Sequence, residues 1–227
     1  MPTILITGAN RGLGLEFARQ YAADGWRVIA CVRDPAKATA LKALSGAVEI
    51  RTLDVSDFAA IDALARNLAG TAIDVLLLNA GANPQLEAPK AEDADYEAWP
   101  DVFKINTMAP LRLAVAFRGH VAASDKKIIA AISSGGATVS QAKGGNYVYR
   151  SSKAALNLCM SGLAKEYANR GLTTVMLAPG WVRTDMGGPS ARFSPEESVT
   201  MVRKVIGGLT AKDNGRFINS DGKDYPW

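Results

Sequence analysis

Residues 3 to 14 read Thr-Ile-Leu-Ile-Thr-Gly-Ala-Asn-Arg-Gly-Leu-Gly, and no other stretch limits the fold as tightly. Ile4, Leu5 and Ile6 form an unbroken apolar run, the pattern of a strand covered on both faces of a parallel sheet. A glycine-spaced turn follows, then the helix-like run 15–20. A strand that feeds such a turn and then a helix start presents free N–H groups, and the positive end of the helix dipole, to an anion. Gly8 permits a tight exit from the strand, Gly12 lets backbone approach a pyrophosphate, and Gly14 lets helix and strand pack closely. The spacing is G-x-x-x-G-x-G rather than G-x-G-x-x-G. Taken alone, a flexible turn reads the same way.

The rest of the chain keeps alternating strand and helix. Strands are expected over 27–32, 48–53, 74–78, 127–132, 172–178 and 215–218. Helices are expected from Pro35, over 57–68, over 96–121 with a bend at Pro110, over 146–169 closed by Gly171, and over 195–206 behind the N-cap Ser194. Such alternation predicts an α/β fold: a Rossmann-like, doubly wound parallel sheet of about seven strands, helices on both faces, joined by right-handed crossovers. The 227 residues suit a single dinucleotide-binding domain, 1–227, without linker or repeat. In such sheets ligands lie beyond the carboxyl ends of the strands. The unusual residues cluster there: 8–14, Arg33, Asp54, 79–81, 133–136 and 179–184. The polar loop 82–95, with Pro84 and Pro89, and the Gly- and Pro-rich loop 186–193, expected to be mobile, would frame a substrate pocket. Trp181 and Phe193 would make it apolar.

Composition narrows the function classes. Hydrophobic content of 48% and charged content of 21% are ordinary for a globular protein. The net charge of +4 is scattered, with no Lys or Arg run to face nucleic acid or a membrane surface. No apolar run approaches the ~18 residues of a membrane span. The first strand starts two residues after Met1, which leaves no room for a cleavable signal. Cys31 and Cys159 form no C-x-x-C pair and read as buried free thiols in a reducing compartment, so a cytoplasmic protein is expected. His120, the only histidine, is placed to meet the last carbonyls of its helix. One histidine without a G-x-S-x-G motif argues against a Ser-His-Asp hydrolase, and with two distant cysteines it gives no metal cluster.

Chemistry is left to Tyr149 and Lys153, four apart on one helix face. A nearby ammonium stabilises a phenolate and lowers the phenol pKa from ~10, which would make Tyr149 a usable proton donor and acceptor. A solvated Tyr/Lys pair has the same spacing. Ser134 follows a strand that should end beside this helix, and its hydroxyl can bond a carbonyl oxygen.

With these residues in view the sequence resembles the short-chain dehydrogenase/reductase family over nearly its whole length. Thr7-Gly8-Ala9-Asn10-Arg11-Gly12-Leu13-Gly14 looks like the family's cofactor-binding turn and Asn79-Ala80-Gly81 like its central-strand motif. Tyr149 and Lys153 match its Tyr-x-x-x-Lys, and residues 179–184 match its Pro-Gly segment. Residues 179–188 and Asp224-Tyr225-Pro226-Trp227 look like the C-factor and sniffer-type carbonyl reductase subgroup. The resemblance implies an oxidoreductase that moves a hydride between NADP(H) and a small-molecule carbonyl or alcohol. It implies a catalytic set of Ser134, Tyr149, Lys153 and Asn106. Tyr149 protonates the developing alkoxide and Ser134, the second of a Ser-Ser pair, holds its oxygen. Lys153 acidifies Tyr149 and bonds the nicotinamide ribose, and Asn106 positions Lys153 or a relay water. The cofactor contacts it implies are Gly8, Asn10, Arg11, Gly12, Leu13, Gly14, Asn79, Ala80, Gly81, Tyr149, Lys153, Pro179 and Gly180. Thr184 and the Val182 backbone would hold the carboxamide, and Asp54 and Val55 the adenine.

An NAD enzyme would carry Asp or Glu at the end of the second strand. Val32 stands there and Arg33 follows. Arg33 and Arg11 together suit a 2′-phosphate, so NADP(H) is expected over NAD(H), although two solvated arginines would leave the same sequence. Two further readings stand beside this one. The first is a cofactor-binding signalling or regulatory protein with little turnover. The second is an epimerase or dehydratase that retains NAD. Small residues on the 149–165 helix (Ser151, Ala155, Ser161, Gly162) fit a homodimer or homotetramer seam, or close packing inside one subunit.

Overall fold

The computed structural model describes residues 1–84 and 90–227. Seven parallel strands form one sheet: β1 (Thr3–Thr7), β2 (Arg27–Val32), β3 (Val48–Thr52), β4 (Val75–Leu78), β5 (Ile128–Ile132), β6 (Thr173–Ala178) and β7 (Phe217–Asn219). Their order is β3-β2-β1-β4-β5-β6-β7. The chain starts at β1, winds outward through β2 and β3, returns to the far side of β1 and winds the other way. This is the doubly wound, Rossmann-like sheet that the alternation predicts. The direction reverses between β1 and β4, where Ile4, Leu5 and Ile6 pair with Val75, Leu76 and Leu77.

The continuous apolar strands are stable because both faces of the sheet are covered. Strand periodicity sends Leu5, Ile29, Leu76 and Ile129 to one face, against Leu113, Phe117, Leu156 and Met160. Ile4, Ile6, Val28 and Leu77 go to the other, against Phe17, Tyr21 and Val202. Each such fully buried side chain contributes roughly 1.5–3 kcal/mol. Edge strand β3 is different. Its Glu49 pairs with Arg27 at 2.7 Å and also with Arg51, and these charges blunt an open edge.

The helices are α1 (Gly12–Ala23), α2 (Thr39–Lys42), α3 (Phe58–Asn67), α4 (Trp99–Phe103), α5 (Ala109–Ala122), α6 (Tyr147–Tyr167) and α7 (Pro195–Gly208). Several bounds depart from the sequence reading. α1 begins at Gly12, so two of the glycines belong to its first turn. The segment after Pro35 is one 3-10 turn, capped by the Asp34 side chain, before the four-residue α2. The long helix starts at Trp99, and its irregularity precedes Pro110. Residues Lys104–Met108 form a π turn, and Pro110 follows where the regular ladder is already broken. Lys127 has φ +57, so β5 starts one residue late. Ser194 caps α7 in a reciprocal box with Glu197.

The 82–95 loop contains a 3-10 turn at Ala91–Asp93, and Pro89 lies outside the described residues. The 186–193 loop, expected to be mobile, is tied back. The Arg183 N–H donates to the Phe193 carbonyl at 2.8 Å, the Phe193 N–H to the Trp181 carbonyl at 3.0 Å, and the Arg183 guanidinium to the Ala191 and Arg192 carbonyls. Both cysteines are free, but Cys159 is only half-buried. His120 meets the Thr71 carbonyl at 3.0 Å, on a neighbouring loop rather than its own helix end. No helix of the described residues is long and apolar enough to cross a membrane.

Candidate active site

Gly8 follows β1, Arg33 follows β2, Asp54 lies just past β3, Asn79 follows β4, Ser133 follows β5 and Pro179 follows β6. The residues singled out from the sequence therefore share the carboxyl edge of the sheet. There the reversal between β1 and β4 opens a crevice.

One wall is the glycine turn. Gly8 has φ +68, and a Cβ added to it would lie 2.9 Å from the Ala80 Cα. A Cβ on Gly14 would lie 2.2 Å from the Gly8 carbonyl oxygen and 2.7 Å from Nδ2 of Asn79. Asn79 fastens the turn by donating from Nδ2 to the carbonyls of Thr7 (2.9 Å) and Gly8 (3.3 Å). The Thr7 hydroxyl accepts from the N–H groups of Asn79 (3.0 Å) and Ala80 (3.1 Å). Thr7 opens the motif read from the sequence, but the fastening role of its hydroxyl has no signal there beyond its place at the end of a buried strand. α1 has no side-chain cap on its N-cap Arg11 and no acidic residue in its first turn. The N–H groups of Gly12, Leu13 and Gly14 are thus left for an anion, with half-buried Asn10 beside them.

The opposite wall is 179–184. A Cβ on Gly12 would stand 3.4 Å from Cγ2 of Thr184. The Pro179 carbonyl accepts from the Ser198 hydroxyl at 2.8 Å, and Val182 bridges Phe193. Gly180, at φ +84, rests on the Phe193 ring, so Phe193 supports the wall. Trp181 is 57% exposed and donates its indole N–H to the Gly187 carbonyl. Arg11 reaches across to Asp185 at 2.5 Å, a partner the motifs do not reveal. Exposed Arg33 stands at the end of β2, near Asp54. The Asp54 carboxyl is held below its usual range by hydrogen bonds from the Ser56 side chain and N–H, with smaller help from Arg33 and Lys104. Val55 is buried next to it.

The polar group at the β4–β5 end is compact. Asn106 sits in the π turn, fully buried. Its Oδ1 accepts from the Ala82 N–H at 2.8 Å, and its Nδ2 donates to the Ala82 carbonyl at 2.8 Å and the Ser152 hydroxyl at 3.0 Å. It thus clamps the start of the 82–95 loop. Gly81 fills the gap between two of these groups, since a Cβ there would lie 3.4 Å from Oδ1 of Asn106 and 3.6 Å from Nζ of Lys153. Lys153 donates from Nζ to the Ile132 carbonyl at 2.8 Å, and burial pulls its pKa down to about 8. Burial pushes the Tyr149 pKa above its ordinary value, and the neighbouring Ser134 side chain opposes this by favouring the phenolate. The expected acidification by Lys153 is absent. The ammonium lies 5.8 Å from the Tyr149 ring centre and is spent on a carbonyl. Ser133 donates to Oδ1 of Asn157 at 2.6 Å and is committed to the core, which leaves Ser134 as the serine facing Tyr149. Ser151 accepts from the Trp99 indole at 3.1 Å, so this member of the small-residue face packs within the subunit.

A parallel sheet wound both ways from β1, with a glycine cradle and a Ser/Tyr/Lys group on its carboxyl edge, defines a dinucleotide-fold protein. The model of the short chain dehydrogenase family matches residues 2–194, and the chain belongs to that family. It is 37% identical to C-signal of Myxococcus xanthus over 166 residues, 73% of this chain and 99% of that one. The NADPH-bound carbonyl reductase from chicken fatty liver is 33% identical with a TM-score of 0.89, over 100% of this chain and 99% of that one. The carbonyl reductase Sniffer of D. melanogaster is 30% identical with a TM-score of 0.92, over 100% of both chains.

Proposed function

We propose that the protein reduces aldehydes or ketones with NADPH, reversibly, with Tyr149 as proton donor and acceptor. The observation that carries this reading is the buried Lys153 amine, held on the Ile132 carbonyl 5.8 Å from the Tyr149 ring centre, with Ser134 beside that phenol at the carboxyl edge next to the glycine cradle. The cradle fits a dinucleotide: a Cβ at Gly8 or Gly14 would collide with backbone, and the first turn of α1 offers uncapped N–H groups with no acidic residue among them. NADPH in the chicken relative supports the choice of cofactor.

The cofactor supplies the hydride when bound; the protein supplies position and electrostatics. Gly12, Leu13 and Gly14 would hold the pyrophosphate, with Asn10 and residues 79–81 alongside. Asp54 and Val55 would meet the adenine, and Pro179, Gly180, Val182 and Thr184 the nicotinamide end. Arg33 would take a 2′-phosphate, and Arg11 would join it on leaving Asp185. Ser134 donates to the substrate carbonyl oxygen. Tyr149, kept protonated by burial, gives that oxygen its proton as negative charge develops. Lys153 would bond the ribose of the cofactor. Asn106 acts at one remove, fixing Ala82 so that Gly81 stays against Lys153.

NADPH absorbance loss over a panel of carbonyl compounds tests the reading, with NADPH binding followed by fluorescence. Tyr149→Phe should bind NADPH like the wild type and lose activity by about 10²–10⁴-fold. Undiminished turnover by that variant overturns the role of Tyr149. Tight binding with no turnover by the wild type favours a regulatory protein.

A further inference from the structure

We infer that the segment Tyr225-Pro226-Trp227 is a positioning strap for Ser134, with Tyr225 as its fixing residue. The inference rests on the proposed role of Ser134 and deepens it.

The strap begins on β7. A turn at 219–223 is closed by the Asn219 N–H on the Lys223 carbonyl at 2.8 Å, and the chain doubles back so that the Tyr225 N–H donates to the Phe217 carbonyl at 2.7 Å. The Tyr225 ring stacks on Phe217 with centres 5.1 Å apart and planes 28° apart. From this base the side chain crosses to the loop after β5. A Cβ on Gly135 would lie 2.3 Å from the Tyr225 hydroxyl and 2.8 Å from its Cζ, so the ring tip rests directly on the residue that follows Ser134. The strap then continues along the same loop. The Pro226 carbonyl accepts from the Thr138 hydroxyl at 3.0 Å, and the Trp227 main-chain oxygen accepts from the Ser140 N–H at 3.0 Å.

Within the loop itself, the Ser134 hydroxyl accepts from the Gly136 N–H at 3.0 Å, and the side chain neighbours Tyr149 of α6. On the α6 side Arg150 donates from Nε to the Gly136 carbonyl at 3.2 Å and braces the loop there. The strap braces it from outside, through one aromatic contact and two hydrogen bonds at successive points. The Tyr225 hydroxyl makes no hydrogen bond among the described residues, so the ring's bulk on the Phe217 platform fixes the loop. An error of about 1 Å in a reacting group costs on the order of 10²-fold in rate.

The test compares wild type, Tyr225→Ala, Tyr225→Phe and Thr138→Val. It measures kcat and KM with NADPH and a carbonyl substrate, NADPH affinity by fluorescence, and hydrogen exchange over 134–140. Tyr225→Ala should lower kcat by about 10-fold or more while the KM and affinity for NADPH stay within about twofold. Its loop amides should exchange faster. Tyr225→Phe should restore both properties. Thr138→Val, which removes one hydrogen bond and no packing, should give a fall of about fivefold and guards against misfolding of the alanine variant. Unchanged kcat in Tyr225→Ala, or a loss confined to NADPH binding, overturns the strap. If the wild type turns over no carbonyl, the functional reading fails on its own, and exchange still decides: loop amides equally protected in Tyr225→Ala overturn the strap.

Discussion

Nζ of Lys153 gives its hydrogen bond to the Ile132 carbonyl at 2.8 Å, which places a cation inside the end of β5. The consequence is a dependence of stability on pH. Its pKa is about 8 in the fold, against 10.5 ordinarily. Below the folded value both states hold the proton and the fold bears the whole cost of a buried ammonium, about 3 kcal/mol. Between the two values only the unfolded chain holds it, so stability rises with pH until both are neutral. Lys153→Met removes this cost. In urea unfolding, the wild type should gain ~2–3 kcal/mol on the variant between pH 7 and pH 10. A constant gap between the two proteins would refute the buried-cation account.

Gly14 is fixed by what stands opposite it, the Gly8 carbonyl oxygen at 2.2 Å from any added Cβ. The obstacle is backbone and cannot swing aside. Gly14→Ala should destabilise the fold by ~1–3 kcal/mol through overpacking and weaken NADPH binding, because the turn must open to admit the methyl group. Denaturant midpoints and NADPH titration together check this; a variant as stable as the wild type would contradict it.

Arg33 stands exposed one residue past Val32, which holds the place where an NAD enzyme carries a carboxylate. Arg33→Asp should move the NADPH/NADH preference toward NADH, both by losing a guanidinium for the 2′-phosphate and by placing a charge that repels it. The ratio of kcat/KM for the two cofactors reads this directly. An unchanged ratio would remove Arg33 as the discriminator.

Arg11 and Asp185 form an exposed pair across the mouth of the crevice. Asp185→Asn should alter stability by no more than about 0.5–1 kcal/mol, the value of a surface pair. It should tighten NADPH binding severalfold at low salt, because the arginine is released and a like charge leaves the phosphates, and the gain should fade as salt rises. Weaker binding would mean that Asp185 orients Arg11 for the cofactor instead of competing for it.

The sheet was legible because its signals are local and repeated. Buried runs such as 4–6 and 75–78 are closed by glycine or asparagine punctuation, and a parallel sheet puts every following turn on the same edge. The Tyr149–Lys153 spacing was legible for the same reason, but the use of the ammonium was not, since its acceptor, Ile132, is an aliphatic residue that contributes only a carbonyl. Thr7, Asp185 and Tyr225 stand inside motifs read from the sequence, but their roles were not legible, because each acts on a segment distant in the chain and none belongs to a periodic pattern. Ser133 and Ser134 look alike in sequence. They part only because Asn157 on α6 claims the first.

The widened turn at Lys104–Met108 divides its helix into two independently phased rods. One surplus residue there advances the helix by about 100°, so the face set by Trp99 and Asn106 need not align with the stripe of Leu113, Phe117 and Val121 beyond it. Shortening that turn by a residue would keep the second rod seated on the sheet while rotating the first, and the Asn106 clamp on Ala82 would be lost without any change of side-chain chemistry.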